Sequence, residues 1–141
     1  MSISFIGHNR QIDFINKTRS RGLLPHAYLF HGPAHVGKLT IARALAQSFF
    51  CSEVKQHDMR SACGVCRTCR AIAEYRDPNV IILDTEHTLT SKKESRKEIP
   101  IEDIRELKRI LSFAPQGNAM RLAIINEADK MSEEAANAFL K

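Results

Sequence analysis

The sequence has no apolar run long enough to cross a membrane and no run of five like charges. A membrane-spanning helix needs about 20 apolar residues, and the longest runs here, such as residues 122–125, are far shorter. The first residues do not combine a basic start with an apolar stretch, so we expect no signal peptide and a cytoplasmic protein. There is also no internal repeat. We therefore expect neither a membrane-spanning protein nor a repeat protein.

The composition is that of an ordinary globular protein. The chain has 141 residues, of which 43% are hydrophobic and 26% are charged, and this length fits one domain. It holds 21 basic and 16 acidic residues, for a net charge of +5. A basic balance is compatible with nucleic-acid contact but is shared by many cytoplasmic proteins, so the charge alone does not assign a function.

Short apolar runs alternate with amphipathic segments along the chain. Each of the apolar runs is bounded by glycine, proline or polar residues and lacks a polar face, which is typical of strands in a parallel sheet covered by helices. The pattern predicts an α/β fold with three strands (27–30, 80–83 and 122–125) and four main helices. Two of them are expected to start at Lys38 and Pro100, and the other two to be capped by Asn9 and Ser132. A shorter helix is predicted near 71–75, and residues 84–98, with four acids and four bases, are expected to form a mobile loop.

A glycine-lysine motif lies between the first predicted strand and the second predicted helix. It runs Gly32-Pro-Ala-His-Val-Gly37-Lys38. Glycines let such a loop curl so that its N–H groups point at phosphate oxygens, while the helix N-terminus and the lysine add positive charge. We therefore predict a nucleotide site at Gly32, Gly37, Lys38 and Thr40, which is expected to hold ATP or ADP only weakly.

Two positions depart from what phosphate-loop hydrolases need. A serine or threonine should follow the lysine as a magnesium ligand, but Leu39 has no oxygen, and Thr40 is turned by about 100° around the helix. An Asp-Glu pair should follow the third strand, but the chain has Asn126-Glu127. Because both expected ligand positions are neutral, hydrolysis should suffer far more than binding, and we assign no catalytic residue.

All four cysteines fall between positions 51 and 69. Cys51 precedes the run Cys63-Gly-Val-Cys66-Arg-Thr-Cys69. Clustered cysteines in a reducing compartment favour metal binding over disulfides, and four thiolates suit a structural zinc ion. An iron–sulfur cluster is the alternative, although the downstream Cys-Pro of that motif is absent. His57 lies within the same segment and offers a substitute ligand.

Several stretches together resemble the N-terminal part of the bacterial DNA polymerase III clamp-loader subunits, in particular the delta-prime family, within the AAA+ proteins. They are Ile6–His8, Leu24–Gly32, Cys63–Cys69, Ile104–Leu107 and Glu127–Lys141. The resemblance implies that residues 1–141 are the N-terminal part of an AAA+ P-loop domain with a zinc-binding insertion at 51–69. The family's strand order would place a strand that follows residue 141 between 27–30 and 122–125, so the sheet in this chain is expected to be incomplete.

The resemblance also implies a role in DNA replication. A delta-prime-type subunit is a largely non-hydrolysing stator, a non-catalytic part of a DNA-directed DNA polymerase holoenzyme. Its partners would be the gamma/tau and delta subunits in a hetero-pentamer that places the sliding clamp on primed DNA, in the cytoplasm at replication forks and without a membrane. Two alternatives remain: an ATP-hydrolysing gamma/tau-type motor, favoured by Lys38 and Glu127, and a stand-alone zinc-dependent nucleic-acid-binding module.

Overall fold

A computed structural model of the chain describes residues 6–53, 58–90, 96–115, 117 and 120–141. It divides into two compact units, one ending at Glu74 and the other starting at Tyr75. In chain order the elements are α1 (Asn9–Ser20), α2 (Lys38–Phe50), α3 (Arg67–Ala73), β1 (Val80–Leu83), α4 (Ile101–Ser112), β2 (Leu122–Ile125) and α5 (Glu133–Leu140). Of the helices in these described ranges, none combines the length and apolarity that a membrane crossing requires.

The core of the first unit lies between α1 and α2. The predicted apolar faces of both helices are confirmed, since Ile12, Ile15, Ile41 and Leu45 are all buried. Met59, in a 3-10 turn at Met59–Ser61, completes this core with no exposed surface. The segment that carries the cysteines is therefore anchored on the same core as the helix that follows the glycine-lysine loop.

Two local predictions for the first unit are wrong. Residues 27–30 run without helix or strand assignment, because no other strand pairs with them in the part of the chain that the structure describes. Asn9 does not cap α1 but is its first residue, and His8 occupies the cap position with a left-handed φ of 56° and no side-chain cap bond. A strand needs a partner to supply its hydrogen bonds, so apolar content alone did not decide the state of 27–30.

The second unit is built on a parallel pair of strands. β1 and β2 pair in the register Val80↔Leu122 through Leu83↔Ile125, and their parallel orientation agrees with the predicted parallel sheet. Buried side chains from β1, α4 and α5 form its core, and Ser132 caps α5 by accepting a hydrogen bond from the Ala135 N–H at 3.1 Å. Leu89 packs at the edge of this core. Residues 91–95 lie outside the described residues, so the mobility of the 84–98 loop stays a prediction.

Asp103 is a buried carboxylate that the sequence pattern of α4 did not single out. It has no exposed surface, and its Oδ1 accepts hydrogen bonds from the Leu89 N–H at 3.1 Å and the Thr90 N–H at 2.9 Å. The Thr90 hydroxyl donates a third at 2.6 Å. Asp103 therefore holds residues 89 and 90 of the acid- and base-rich segment 84–98 onto α4.

We expect Asp103→Ala to lower the free energy of unfolding by about 2 kcal/mol, because the partly buried Leu89 N–H and the N–H and hydroxyl of Thr90 lose their acceptor. Urea denaturation of the intact protein measures this loss. Asp103→Asn is the matched control, since its amide oxygen still accepts, and it should lose less than half as much. A loss below about 1 kcal/mol for the alanine variant would show that water satisfies these groups equally well.

Candidate nucleotide loop and cysteine cluster

The loop between residue 32 and α2 has the backbone of an anion-binding turn. Gly32, His35 and Gly37 all have positive φ, at 148°, 61° and 91°. Gly37 is the N-cap of α2, and no side chain caps this helix end. The first N–H groups of α2 therefore point out of the helix end without a side-chain acceptor, which is the arrangement that binds a phosphate.

Lys38 lies at the first position of α2 with its ammonium folded over the loop. Its Nζ donates to the carbonyl oxygens of Gly32 at 2.9 Å and Pro33 at 2.6 Å. The same group is within reach of an anion seated on the loop, because these two carbonyls lie on the loop itself. His8 stabilises the other side of the turn, since its Nε2 forms a hydrogen bond of 2.7 Å to the Val36 carbonyl.

The residues after Lys38 supply no metal ligand from the expected position. Leu39 is half-buried and has no oxygen, whereas Thr40, the predicted substitute, is exposed. Gly32, Gly37 and Lys38 thus come together in one loop as predicted, with Thr40 in the first turn of α2. Nucleotide binding by this set stays a prediction.

The four cysteines converge at the far end of α2. Cys51 is the C-cap of α2, and Cys66 is the N-cap of α3. Cys63 lies three residues before Cys66, and Cys69 lies within α3. All four Sγ atoms lie within 4.8 Å of one another. The Cys51 Sγ is 3.6 Å from that of Cys63 and 3.9 Å from that of Cys66. Tetrahedral zinc with Zn–S bonds of about 2.3 Å separates its sulfurs by about 3.8 Å, so the donor set fits zinc.

Backbone N–H groups point at three of these sulfurs. The N–H of Cys63 contacts Cys51 Sγ at 3.4 Å, that of Cys66 contacts Cys63 Sγ at 3.2 Å, and that of Cys69 contacts Cys66 Sγ at 3.4 Å. Such bonds favour thiolates, which are the form that binds zinc. Burial alone would raise the pKa of Cys66, but the N–H groups of Cys69 and Ser52 outweigh it and lower the pKa to about 6.

The thiols differ in their exposure. Cys69 is fully buried, and burial raises its pKa. Hydrogen bonds from the backbone at Val65 and Cys66 lower the pKa of Cys63. His57, the predicted substitute ligand, lies outside the described residues.

The cysteine segment is tied to both helices of the first unit. The side-chain amide of Gln47 on α2 donates to the Cys69 carbonyl at 2.8 Å in a buried position. Asn16 on α1 accepts from the Met59 N–H at 3.1 Å and donates to Asp58 at 2.8 Å. A metal held by the cysteines would therefore close a loop already fastened to the core.

In the second unit, acidic and hydroxyl groups collect where β1 and β2 end. Glu127 follows β2 by two residues with a φ of 57°. Its Oε2 accepts from the Thr85 hydroxyl at 3.0 Å, and its Oε1 pairs with Lys130 Nζ at 2.8 Å. The hydrogen bonds from Lys130 and Thr85 lower the pKa of Glu127. Asn126 donates its backbone N–H to the Leu83 carbonyl at 2.8 Å.

A second carboxylate, Asp84, follows β1 and is buried. Its Oδ1 accepts from the N–H groups of Glu86 and His87 at 2.9 and 2.7 Å, and lies 2.9 Å from His87 Nδ1. Burial opposes ionisation of Asp84, but the bonds from His87 and Glu86 prevail and lower its pKa. The His87 ring also stacks on Tyr75 at 3.9 Å. Asp84 is therefore engaged by its own loop.

Sequence reasoning missed the groups that hold Glu127. Thr85 lies 42 residues before Glu127 along the chain, so no local sequence pattern predicts the contact between them. Lys130 lies three residues after Glu127 in a 3-10 turn, and this spacing between opposite charges is a usable signal. Glu127, the acid that remains of the expected Asp-Glu pair, thus contacts two neighbouring side chains.

Comparison with known proteins gives one consistent result. The family described as "DNA polymerase III, delta subunit" matches residues 7–141. The chain is 30% identical to DNA polymerase III subunit tau of Escherichia coli over 136 residues, which are 96% of this chain and 19% of that protein. It is 35% identical to subunit delta' of Bacillus subtilis over 84% of this chain and 32% of that protein.

Subunit delta' of Pseudomonas aeruginosa is 30% identical over 82% of this chain and 32% of its own length. The chain thus spans between about a fifth and a third of these three relatives. The match to the family covers nearly all of the chain, including the loop, the cysteines and the end of β2. The chain therefore belongs to the DNA polymerase III delta subunit family.

Proposed function

We propose that this chain is the AAA+ part of a delta-prime-type stator in the DNA polymerase III clamp loader, which helps to place the sliding clamp on primed DNA. The observation that carries the proposal is the pair Leu39 and Asn126, two neutral side chains where a hydrolysing subunit needs magnesium ligands. The loop retains the backbone for binding phosphate, so the proposal separates binding from hydrolysis.

The state of Glu127 supports the same conclusion. A general base must be available to take a proton from the attacking water or to orient it. Here the carboxylate accepts from Thr85 and pairs with Lys130, and these bonds also lower its pKa. A more acidic, already bonded carboxylate is a weaker base. In this proposal Glu127 is therefore a weak base, in addition to the neutral side chains at positions 39 and 126.

In this proposal the cysteines hold a structural zinc ion. Cys51, Cys63, Cys66 and Cys69 would supply all four ligands and leave no position open for a substrate. The ion would join the end of α2 to the start of α3. The partners would be gamma/tau-type and delta subunits in a hetero-pentamer, in the cytoplasm at replication forks.

A gamma/tau-type motor is the second candidate, because the subunit tau relative matches 96% of the chain and because Lys38 and Glu127 are present. The two candidates differ in one measurable property. A motor hydrolyses ATP and a stator does not, whatever complex each joins.

The test is steady-state ATP hydrolysis by the intact protein alone and after mixing with gamma/tau-type and delta subunits. We expect no turnover above that of a Lys38→Ala control when the protein is alone. We also expect a stable complex with the motor subunits, measured by size-exclusion chromatography with light scattering. Robust turnover that Lys38→Ala removes would establish the motor instead, and failure to join the complex would overturn both assignments.

A further inference from the structure

The positive charge of the chain is concentrated at its beginning. Residues 1–50 hold six Lys or Arg and a single acidic residue, Asp13, which accounts for the whole net charge of +5. The other 91 residues are balanced, with fifteen bases and fifteen acids. Lys38 belongs to the nucleotide loop, but the other bases of this region have no role in the proposed function.

Three of these bases form a stripe along α1 and its C-cap, Arg21. At 100° per residue, Arg10, Lys17 and Arg21 lie within about 40° of one another around the helix axis. All three are exposed, and none of them makes an ion pair with another residue that the structure describes. Within α1 the only acid is Asp13, at the edge of the stripe, and Asp58 lies against α1 on the side of Asn16. We call these three residues the α1 basic stripe.

The spacing of the α1 basic stripe suits a chain of phosphates. At a rise of 1.5 Å per residue, about 10 Å separates Arg10 from Lys17 along the axis, and about 6 Å separates Lys17 from Arg21. Phe14 lies on the same face between Arg10 and Lys17, and 64% of its surface is exposed. Cations that follow a phosphate backbone, with an aromatic ring between them, are the features with which proteins bind single strands.

We propose that the α1 basic stripe, together with Phe14, binds single-stranded nucleic acid. Arg10, Lys17 and Arg21 contact phosphates along one strand, and an unpaired base stacks on Phe14. A duplex offers its phosphates but no free base face, so the surface prefers a single strand. The proposal rests on α1 alone and holds for a stator as well as for a motor.

A different occupant is conceivable for part of this face, and the geometry separates the two cases. Phe14 also lines an open groove with Arg10, Tyr28 and Phe30, and a polypeptide segment in that groove would cover the Phe14 ring. Lys17 and Arg21 do not line the groove. A polypeptide there would leave these two cations without anions, whereas a nucleic-acid strand engages them.

The test measures binding of a fluorescent oligothymidylate to the intact protein by anisotropy, from about 50 to about 200 mM salt. The variant Arg10→Gln/Lys17→Gln/Arg21→Gln removes three phosphate contacts. At about 0.7 counterions per single-strand phosphate, we expect a salt slope smaller by about 2 and an affinity roughly 100-fold lower at 0.1 M salt. Phe14→Ala should weaken binding by about tenfold, and Phe14→Tyr should restore it.

Two controls match the triple variant. Arg67→Gln/Lys97→Gln/Lys141→Gln removes the same charge from exposed positions off α1 and should keep the affinity within about twofold of the natural protein. Arg10→Lys/Lys17→Arg/Arg21→Lys keeps the charge and should keep the binding. If the glutamine triple variant is less stable than the natural protein, Lys17→Gln alone serves as the test, with an expected loss of affinity of about fivefold.

Equal losses in the two glutamine triples would overturn the proposal, as would equal affinity for duplex and single strand. So would a triple variant that binds the oligonucleotide normally but fails to join the motor subunits, since α1 would then be a protein contact. These outcomes are independent of ATP hydrolysis. If the stripe does not bind nucleic acid, the stator proposal is unaffected. If the protein is not a stator, the proposal for the α1 basic stripe is unaffected.

Discussion

Replacing Cys69 with serine is expected to abolish zinc retention and to unfold the segment between α2 and α3. Serine offers a weakly acidic hydroxyl where zinc needs a thiolate, so one of four ligands is lost. Cys69 is also the fully buried member of the set, and its carbonyl accepts from Gln47 inside the unit. Loss of the metal should therefore disturb the buried contacts around Cys69 as well as the surface of the segment.

The expected loss of stability is about 4 kcal/mol. Structural zinc contributes roughly 10–16 kcal/mol in small peptides that have no other core. Here the segment has further support, because Met59 and Ile72 are buried and Asn16 holds the turn. Because the metal is one of several interactions that stabilise this unit, its removal should lower the free energy of unfolding by less than in zinc-finger peptides.

Elemental analysis and urea denaturation of the intact protein measure both effects. The natural protein should carry about one zinc per chain and no visible iron–sulfur absorption, and Cys69→Ser should carry neither metal. Val65→Ser is the matched control, since Val65 lies in the same segment, is 47% exposed and is not a ligand. A serine variant that keeps its zinc and its stability would refute a four-cysteine site, and visible absorption would indicate iron instead.

The candidate sites were predictable to the extent that they are local. The glycine-lysine loop and the three cysteines at spacing of three fold largely on themselves, and the backbone φ values and sulfur distances agree with what their spacing predicts. The parallel pairing of 80–83 with 122–125 was also predictable, because both runs are apolar on two faces. In each case the residues that matter are neighbours or follow a simple period.

The contacts that sequence reasoning did not find are tertiary. Asp103 lies in the first turn of α4, where an acid is ordinary, and nothing local shows that it is buried or holds Thr90. The Thr85 hydroxyl can donate to Glu127 only because β1 and β2 end side by side. Residues 27–30 have the composition of a strand but no strand beside them in the described chain. The composition of a segment determines whether it favours a strand, but the strand forms only when another strand lies beside it to supply hydrogen bonds.

Restoring the two missing oxygen ligands should make nucleotide binding depend on magnesium. Leu39→Thr places a hydroxyl directly after Lys38, and Asn126→Asp restores the carboxylate after β2. Magnesium that bridges phosphate oxygens neutralises their charge and is held by these two groups in phosphate-loop proteins. In the natural protein we expect magnesium to change the affinity for a fluorescent ATP analogue by less than about threefold, and in the double variant to raise it by about tenfold or more.

The comparison that isolates the oxygens is Leu39→Val against Leu39→Thr, both with Asn126→Asp. Valine and threonine have the same shape, so only the hydroxyl differs, and the valine variant should respond to magnesium much less. Lys38→Ala in the double variant should remove the binding, which locates the analogue on the loop. An unchanged response in the threonine variant would mean that these positions do not explain the weak site.

Hydrolysis should recover far less than magnesium binding in this double variant. Glu127 would still accept from Thr85 and pair with Lys130, which keep it acidic and engaged. Adding Lys130→Met frees one carboxylate oxygen, and Lys130→Arg is the control that keeps the charge. In the complex with motor subunits that carry their own inactivated loops, we expect turnover to rise only when Lys130→Met joins the restored ligands. Turnover that appears with the two ligands alone would show that the metal site was the whole defect, and that the bonds to Glu127 do not hinder it.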